Sequence, residues 1–263
     1  MKTATNREQQ ALDALKKRIE ALPGHLGFYY KNLITKTTAD YRSDEPFLAA
    51  SVIKFPLFLY ILKEAAAGRL DLAYCIKITE AEKVPVCGAL TLYTDEPEVD
   101  IRTLCRLMIS ISDNTATNAL LRYCGIDRVN EGFRAMGLSK THVERFLFDS
   151  AAGAAGRENY IAPLEMGALL EMLYCKEFVS ETVSQEALDT LLLQQINHKL
   201  DGKLCGAIPI AHKTGEDDGL SNDVGILYAR QPFLLCFAGH DTDVYSWETL
   251  IRESAYDLYM AQV

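Results

Sequence analysis

Three short groups of residues could perform acyl transfer: Ser51-Val52-Ile53-Lys54, Ser112-Asp113-Asn114 and Lys213-Thr214-Gly215. Ser51 and Lys54 are three apart, which on a helix places hydroxyl and amine on one face. A serine hydroxyl is a weak nucleophile until a base takes its proton. A lysine can be that base when burial and positive neighbours lower its pKa. A helix start adds free backbone amides that suit a developing oxyanion. Ser112 can relay a proton to a leaving nitrogen, and Asn114 can orient Lys54 or a substrate amide. Asp113 reads as a cap or turn residue between two helices. Lys213 and Thr214 offer an ammonium and a hydroxyl to a carboxylate. Gly215 lets another backbone approach closely, and the amide of Glu216 is the second oxyanion donor. Average composition gives about one S-x-x-K by chance in such a chain but only a few hundredths of an S-D-N or K-T-G, so the ordered triple carries the weight.

The elements that must position these groups follow from periodicity. Apolar residues at helical spacing over 5–22 predict a helix stopped by Pro23-Gly24. Residues 26–34 and 37–41 predict two strands. Residues 51–67 predict a helix closed by Gly68, with Pro56 forcing an irregular first turn beside Ser51. Residues 101–111, 115–123, 127–136, 163–174 and 184–196 predict five more helices, with Gly125 and Gly137 as C-caps. A long, weakly patterned segment, 145–160, lies among them and predicts a functional loop. Residues 207–212, 224–230 and 233–239 predict three strands, and 247–260 a closing helix. The expected fold class is therefore α+β. An antiparallel sheet built from both termini (1–50 plus 200–263), flanked by terminal helices, carries an inserted all-α subdomain (51–199), with the site in the cleft between them.

The chain has 263 residues, 49% of them hydrophobic, enough for a sizeable core. Its net charge of −9 argues against nucleic acid or an anionic membrane as partner. The expected partner is a small molecule. Residues 1–20 contain no apolar run, so the sequence as it stands predicts a cytoplasmic protein, or an extracellular one if a leader has been removed. Seven cysteines, an odd number with no C-x-x-C, argue against a disulfide framework or zinc site. The histidines have no metal-ligand spacing, so no metal is expected. His212 reads as a packing or solvent-facing residue beside Lys213.

AASVIKFPL, LCRLMISISDNTATNALLRYCG and AHKTGEDDGLSNDVGIL resemble the three motif regions of the class A serine β-lactamases and, more loosely, the penicillin-binding DD-peptidases. The resemblance covers essentially the whole chain. It implies a β-lactamase/transpeptidase-like fold, acylation of Ser51 by a β-lactam carbonyl, then hydrolysis, with no cofactor. The family's loop glutamate, in an E-x-x-L-N pattern, is missing here. Aligning Arg145-Phe146 with the family's basic-aromatic pair puts Leu147 in its place, and Glu144, Asp149 and Glu158 are the nearest substitutes. Glu216 is also unusual, standing where a small or hydroxyl residue is expected. Acylation without efficient deacylation is the expected behaviour. The alternatives are a cytoplasmic serine peptidase or esterase on the same scaffold, and a non-hydrolytic penicillin-binding protein.

Overall fold

A computed structural model describes residues 6–263. The chain opens with helix α1 (Asn6–Ala21), strand β1 (His25–Asn32), strand β2 (Thr38–Tyr41) and the two-residue strand β3 (Phe47–Leu48). A tight 3-10 turn at Ala50–Ile53 leads into helix α2 (Lys54–Ala66). Short strands β4 (Cys75–Lys77) and β5 (Glu98–Asp100) bracket an irregular segment. Helices α3 (Ile101–Ser110), α4 (Asn114–Cys124) and α5 (Ile126–Ala135) follow. A short helix α6 (Ser150–Ala154) and strand β6 (Tyr160–Ile161) precede helices α7 (Pro163–Tyr174) and α8 (Glu181–Leu191). The chain closes with β7 (Ile210–Asp217), β8 (Leu220–Leu227), β9 (Phe233–His240) and helix α9 (Val244–Met260). The first residue of the predicted helix 5–22 lies outside the described residues.

The main sheet is antiparallel, in the order β2-β1-β9-β8-β7, so the two chain ends meet at the β1–β9 pairing. Strand β9 shows why its sequence is a continuous apolar run rather than an alternating one. Phe233, Leu235 and Phe237 face a core with Leu12, Leu15 and Ile19 of α1 and Leu250 and Ile251 of α9. Leu234, Cys236 and Ala238 face a second core shared with α2, α7 and the other central helices. Both faces of the sheet are covered, which is the expected α+β arrangement. The small pairs β3–β6 and β4–β5 were not anticipated; each is only two or three residues long, too short to leave a period in the sequence.

Helix α2 is the central pillar, with every residue from Lys54 to Leu62 buried. A helix apolar all round belongs inside a protein. The predicted helix 51–67 begins three residues late: Ser51 sits in the 3-10 turn, and Lys54 is the first α-helical residue. Pro56 thus falls within the first turn, where an amide is not needed. Gly125 and Gly137 both adopt positive φ at the ends of α4 and α5, as predicted. The strand carrying Lys213 runs on to Asp217, and a turn at 218–219 returns it into β8.

Candidate active site

Ala50 is held at φ 39, and the tight turn it starts presents Ser51 beside the first turn of α2. The Lys54 amine, fully buried, lies 2.8 Å from Ser51 Oγ, 2.7 Å from Asn114 Oδ1, 2.9 Å from Ser112 Oγ and 2.8 Å from the Ser112 carbonyl. An ammonium has three N–H groups for these four oxygens. A neutral amine also makes three contacts, two as donor and one as acceptor, and its lone pair is what could accept from the Ser51 hydroxyl. Burial, reinforced by the charge of Lys213, holds the Lys54 pKa well below its ordinary value.

The turn between α3 and α4 points its polar groups at Lys54. Ser112 adopts φ 57, a conformation that costs a non-glycine residue about 1–3 kcal/mol and persists where surrounding contacts enforce it. It turns both the Ser112 carbonyl and hydroxyl toward the lysine. Asp113 is structural, as read from the sequence. One carboxylate oxygen caps α4 through Ala116 N at 2.9 Å, and the other takes the amides of Ala89 and Leu90 at 2.8 and 3.0 Å. Asn114 gives its Oδ1 to Lys54 and donates from Nδ2 to the Val86 carbonyl at 2.7 Å. The segment around Val86–Cys87 is thus tied down over the site, and sequence reasoning did not place it there.

Strand β7 is the outermost strand of the sheet and runs beside the Ser51 turn. Lys213 is fully buried; its Nζ donates to the Thr214 carbonyl at 2.7 Å and to Ser112 Oγ at 3.2 Å. Ser112 Oγ therefore bridges two lysines. Burial, then the nearby charge of Lys199, lowers the Lys213 pKa to about 7. Thr214 is buried alongside. A Cβ on Gly215 would stand 2.9 Å from the Ala49 carbonyl and 3.1 Å from Ser51 N. The backbone that Gly215 admits is thus the protein's own Ser51 turn. Gly215→Ala is expected to cost about 1–3 kcal/mol of stability by overpacking and to displace Ser51, read as a lower denaturation midpoint together with slower acylation.

Lys199 is the site residue that the sequence did not reveal. Its side chain is wholly buried, with Nζ 2.8 Å from Glu216 Oε1 and 3.4 Å from the Gly215 carbonyl. Glu216 thus turns its carboxylate to Lys199 rather than to Lys213. His212 is buried, bonded to Asp223 at 2.9 Å and to Asn197 at 3.0 Å, in keeping with a packing role. Among the described residues no group of histidine, cysteine and carboxylate side chains could hold a metal, and no helix is long and apolar enough to cross a membrane.

The segment 145–160 forms the facing wall of an open cleft of about 440 Å³ that also exposes Ser51, Asn114 and Glu216. Arg145 and Glu158 close its neck at 2.7 Å. The Asn118 side chain grips Leu147, accepting its amide and donating to its carbonyl, both at 2.9 Å. Leu147 lines the cleft. Glu158 is committed to Arg145, Asp149 caps α6 through Ala152 N, and Glu144 accepts the Glu158 amide.

This chain matches the Beta-lactamase enzyme family over residues 10–261. A β-lactamase of Rhodobacter capsulatus is 29% identical over 176 residues, which cover 65% of this chain and 59% of that protein. The chain thus spans about three fifths of that relative's length. A crystal structure of a β-lactamase from Sphaerobacter thermophilus superposes with a TM-score of 0.83 at 26% identity, covering 97% of this chain and 96% of that one. A leucine-to-glutamate variant of PBP-A, solved as an acyl-enzyme complex with penicillin G, superposes with a TM-score of 0.84 at 26% identity, again covering 97% and 96%.

Proposed function

The chain belongs to the β-lactamase enzyme family, and from that premise we propose that it is a serine hydrolase of class A type, acylated at Ser51 by β-lactams or related amides and esters. The observation that carries this reading is the buried Lys54 amine 2.8 Å from Ser51 Oγ, with its pKa held low. Lys54 takes the serine proton as Ser51 Oγ attacks the carbonyl. The amides of Ser51 and Glu216 receive the oxyanion. The proton passes from Lys54 to Ser112 Oγ, 2.9 Å away, and on to the leaving nitrogen. Asn114 orients Lys54, and Lys213, Thr214 and Gly215 shape the wall that receives the substrate. In this reading the sheet part (1–50 with 200–263) and the helical part (51–199) work as one unit around the cleft.

Deacylation needs a base for water. The three carboxylates nearest the missing glutamate are each committed to another contact, which supports slow release of the acyl group. Intact mass followed over time after mixing with a penicillin tests the proposal. An adduct that forms and persists is the expected result. Absence of any adduct with β-lactams and activated esters alike would overturn it.

A pH dependence follows from Lys213. With its pKa at about 7, Lys213 is an ammonium below that pH and neutral above it. Acylation by an anionic penicillin is therefore expected to slow as pH rises through about 7, while acylation by an uncharged ester does not show this fall. Stopped-flow rates across pH 5.5–9 check the sign.

The second reading, a peptidase or esterase on the same scaffold, is favoured by the carboxylate of Glu216 at the cleft.

A further inference from the structure

The charges that line the cleft are arranged against acidic substrates. Two basic groups at this end of the cleft, Arg145 in its wall and Lys199 buried behind Glu216, are already paired with carboxylates of the chain, which leaves Lys213 beside Ser112 as an ammonium with no carboxylate on it among the described residues. Arg145 is held by Glu158 at 2.7 Å, and Lys199 by Glu216 at 2.8 Å. The second pair has the form of an occupied anion site: a wholly buried ammonium and a half-exposed carboxylate that reaches it from the cleft. His198 adds a second cationic neighbour to Glu216 at 3.5 Å when protonated. An incoming carboxylate would have to displace Glu216, leaving one of the two anions without a partner.

Beyond Glu216, strand β7 continues along the cleft wall to Asp217, and Asp218 opens the turn that follows. Both face the cleft, and no cation pairs with either among the described residues. A substrate extended along the free edge of β7 would run toward them, since an outermost strand offers its backbone groups to an added strand. A negative cleft raises the local concentration of cations and lowers that of anions.

We propose that the preferred acyl substrate of this site is a cationic amide or ester, whose acyl portion carries a protonated amine toward Asp217 and Asp218, and that Glu216, by occupying Lys199, disfavours a carboxylate on that acyl portion. This rests on the acylation of Ser51 proposed above. The Ser51 Oγ–acyl bond forms, the ester or amide bond breaks, and the serine proton leaves with the departing group. The protonated amine only binds.

Three p-nitrophenyl esters of similar length test it: those of Nα-acetyl-lysine, Nα-acetyl-norleucine and Nα-acetyl-glutamate, with Ser51→Ala subtracted as the background. At low ionic strength the lysine ester is expected to acylate Ser51 at least tenfold faster than the glutamate ester, a difference of about 1.4 kcal/mol. Salt should shrink the ratio. The exposed Asp217→Asn/Asp218→Asn double variant should bring it toward one, and Glu216→Gln should raise the rate for the glutamate ester. A lysine-to-glutamate ratio of one or below in the native protein overturns the proposal. So does a ratio that survives the double variant unchanged. If no ester reacts through Ser51, the norleucine ester included, acylation itself fails and the substrate class falls with it. If the norleucine ester reacts without charge preference, acylation stands and only the substrate class is lost.

Discussion

Ser51→Ala should give no penicillin adduct, and Lys54→Met should form it about 10²–10⁴-fold more slowly than the native protein. The two substitutions test different parts of one machine. Removing Oγ removes the atom that bonds to the acyl group, so the adduct peak should vanish at any time and concentration. Methionine at position 54 is unbranched and one atom shorter than the lysine, so it fills most of the fully buried slot. It leaves Ser51 Oγ, Ser112 Oγ, the Ser112 carbonyl and Asn114 Oδ1 without the amine they now share. Thermal unfolding of each variant separates a folding defect from a chemical one. A Lys54→Met protein that remains folded and acylates at the native rate would remove Lys54 as the base.

Leu147→Glu should shorten the lifetime of the penicillin adduct by about 10²-fold or more, the range of a well-placed general base. Leu147 lines the cleft, and both its backbone amide and its carbonyl are held by the Asn118 side chain, so a glutamate there inherits a rigid mount. Leu147→Gln has nearly the same shape and cannot take a proton at neutral pH. Fast release with glutamate and slow release with glutamine is the expected pattern. Equal release from both would mean that water is activated elsewhere, and an unchanged lifetime with glutamate would remove position 147 from the deacylation step.

Much of this was legible in the sequence, for reasons that differ by element. Helix α7 fell on the predicted residues because Pro163 fixes its start and apolar residues fill the rest. Strand β9 announced itself as an apolar run, being buried on both faces, whereas β8 begins four residues before the predicted 224–230 because its first half carries the buried polar residues Ser221, Asn222 and Asp223. The motif residues were visible because their types are rare in that order. The geometry that makes them a site was not. Nothing local marks Ser112 for a left-handed backbone, which Lys54 and the Asp113 cap impose from both sides. Lys199 sits in INHKLDGKL, a stretch with no period of its own; it is buried with its amine against the Gly215 carbonyl and the Glu216 carboxylate of β7, and such a lysine looks like any solvated one in the sequence. Glu216 read as a disturbance beside Lys213 because its partner, Lys199, is 17 residues away along the chain. The asparagines that hold the 145–160 wall, Asn118 and Asn159, were missed for the same reason: their bonds go to backbone groups on distant segments.

The pairing of β1 with β9 joins His25 to His240 and Asn32 to Phe233, contacts more than 200 residues apart in the chain. Such long closures slow folding, because the entropy of a large loop is lost before the sheet gains its bonds. During synthesis the N-terminal part emerges first, at about 5–20 residues per second. Ser51, Lys54 and the Ser112 turn therefore leave the ribosome well before Lys213 and the strands that pack it against them. A nascent chain carries its nucleophile early but gains a complete acylation site only when β9 has been threaded between β1 and β8, so the topology itself keeps the serine silent until that strand has been made.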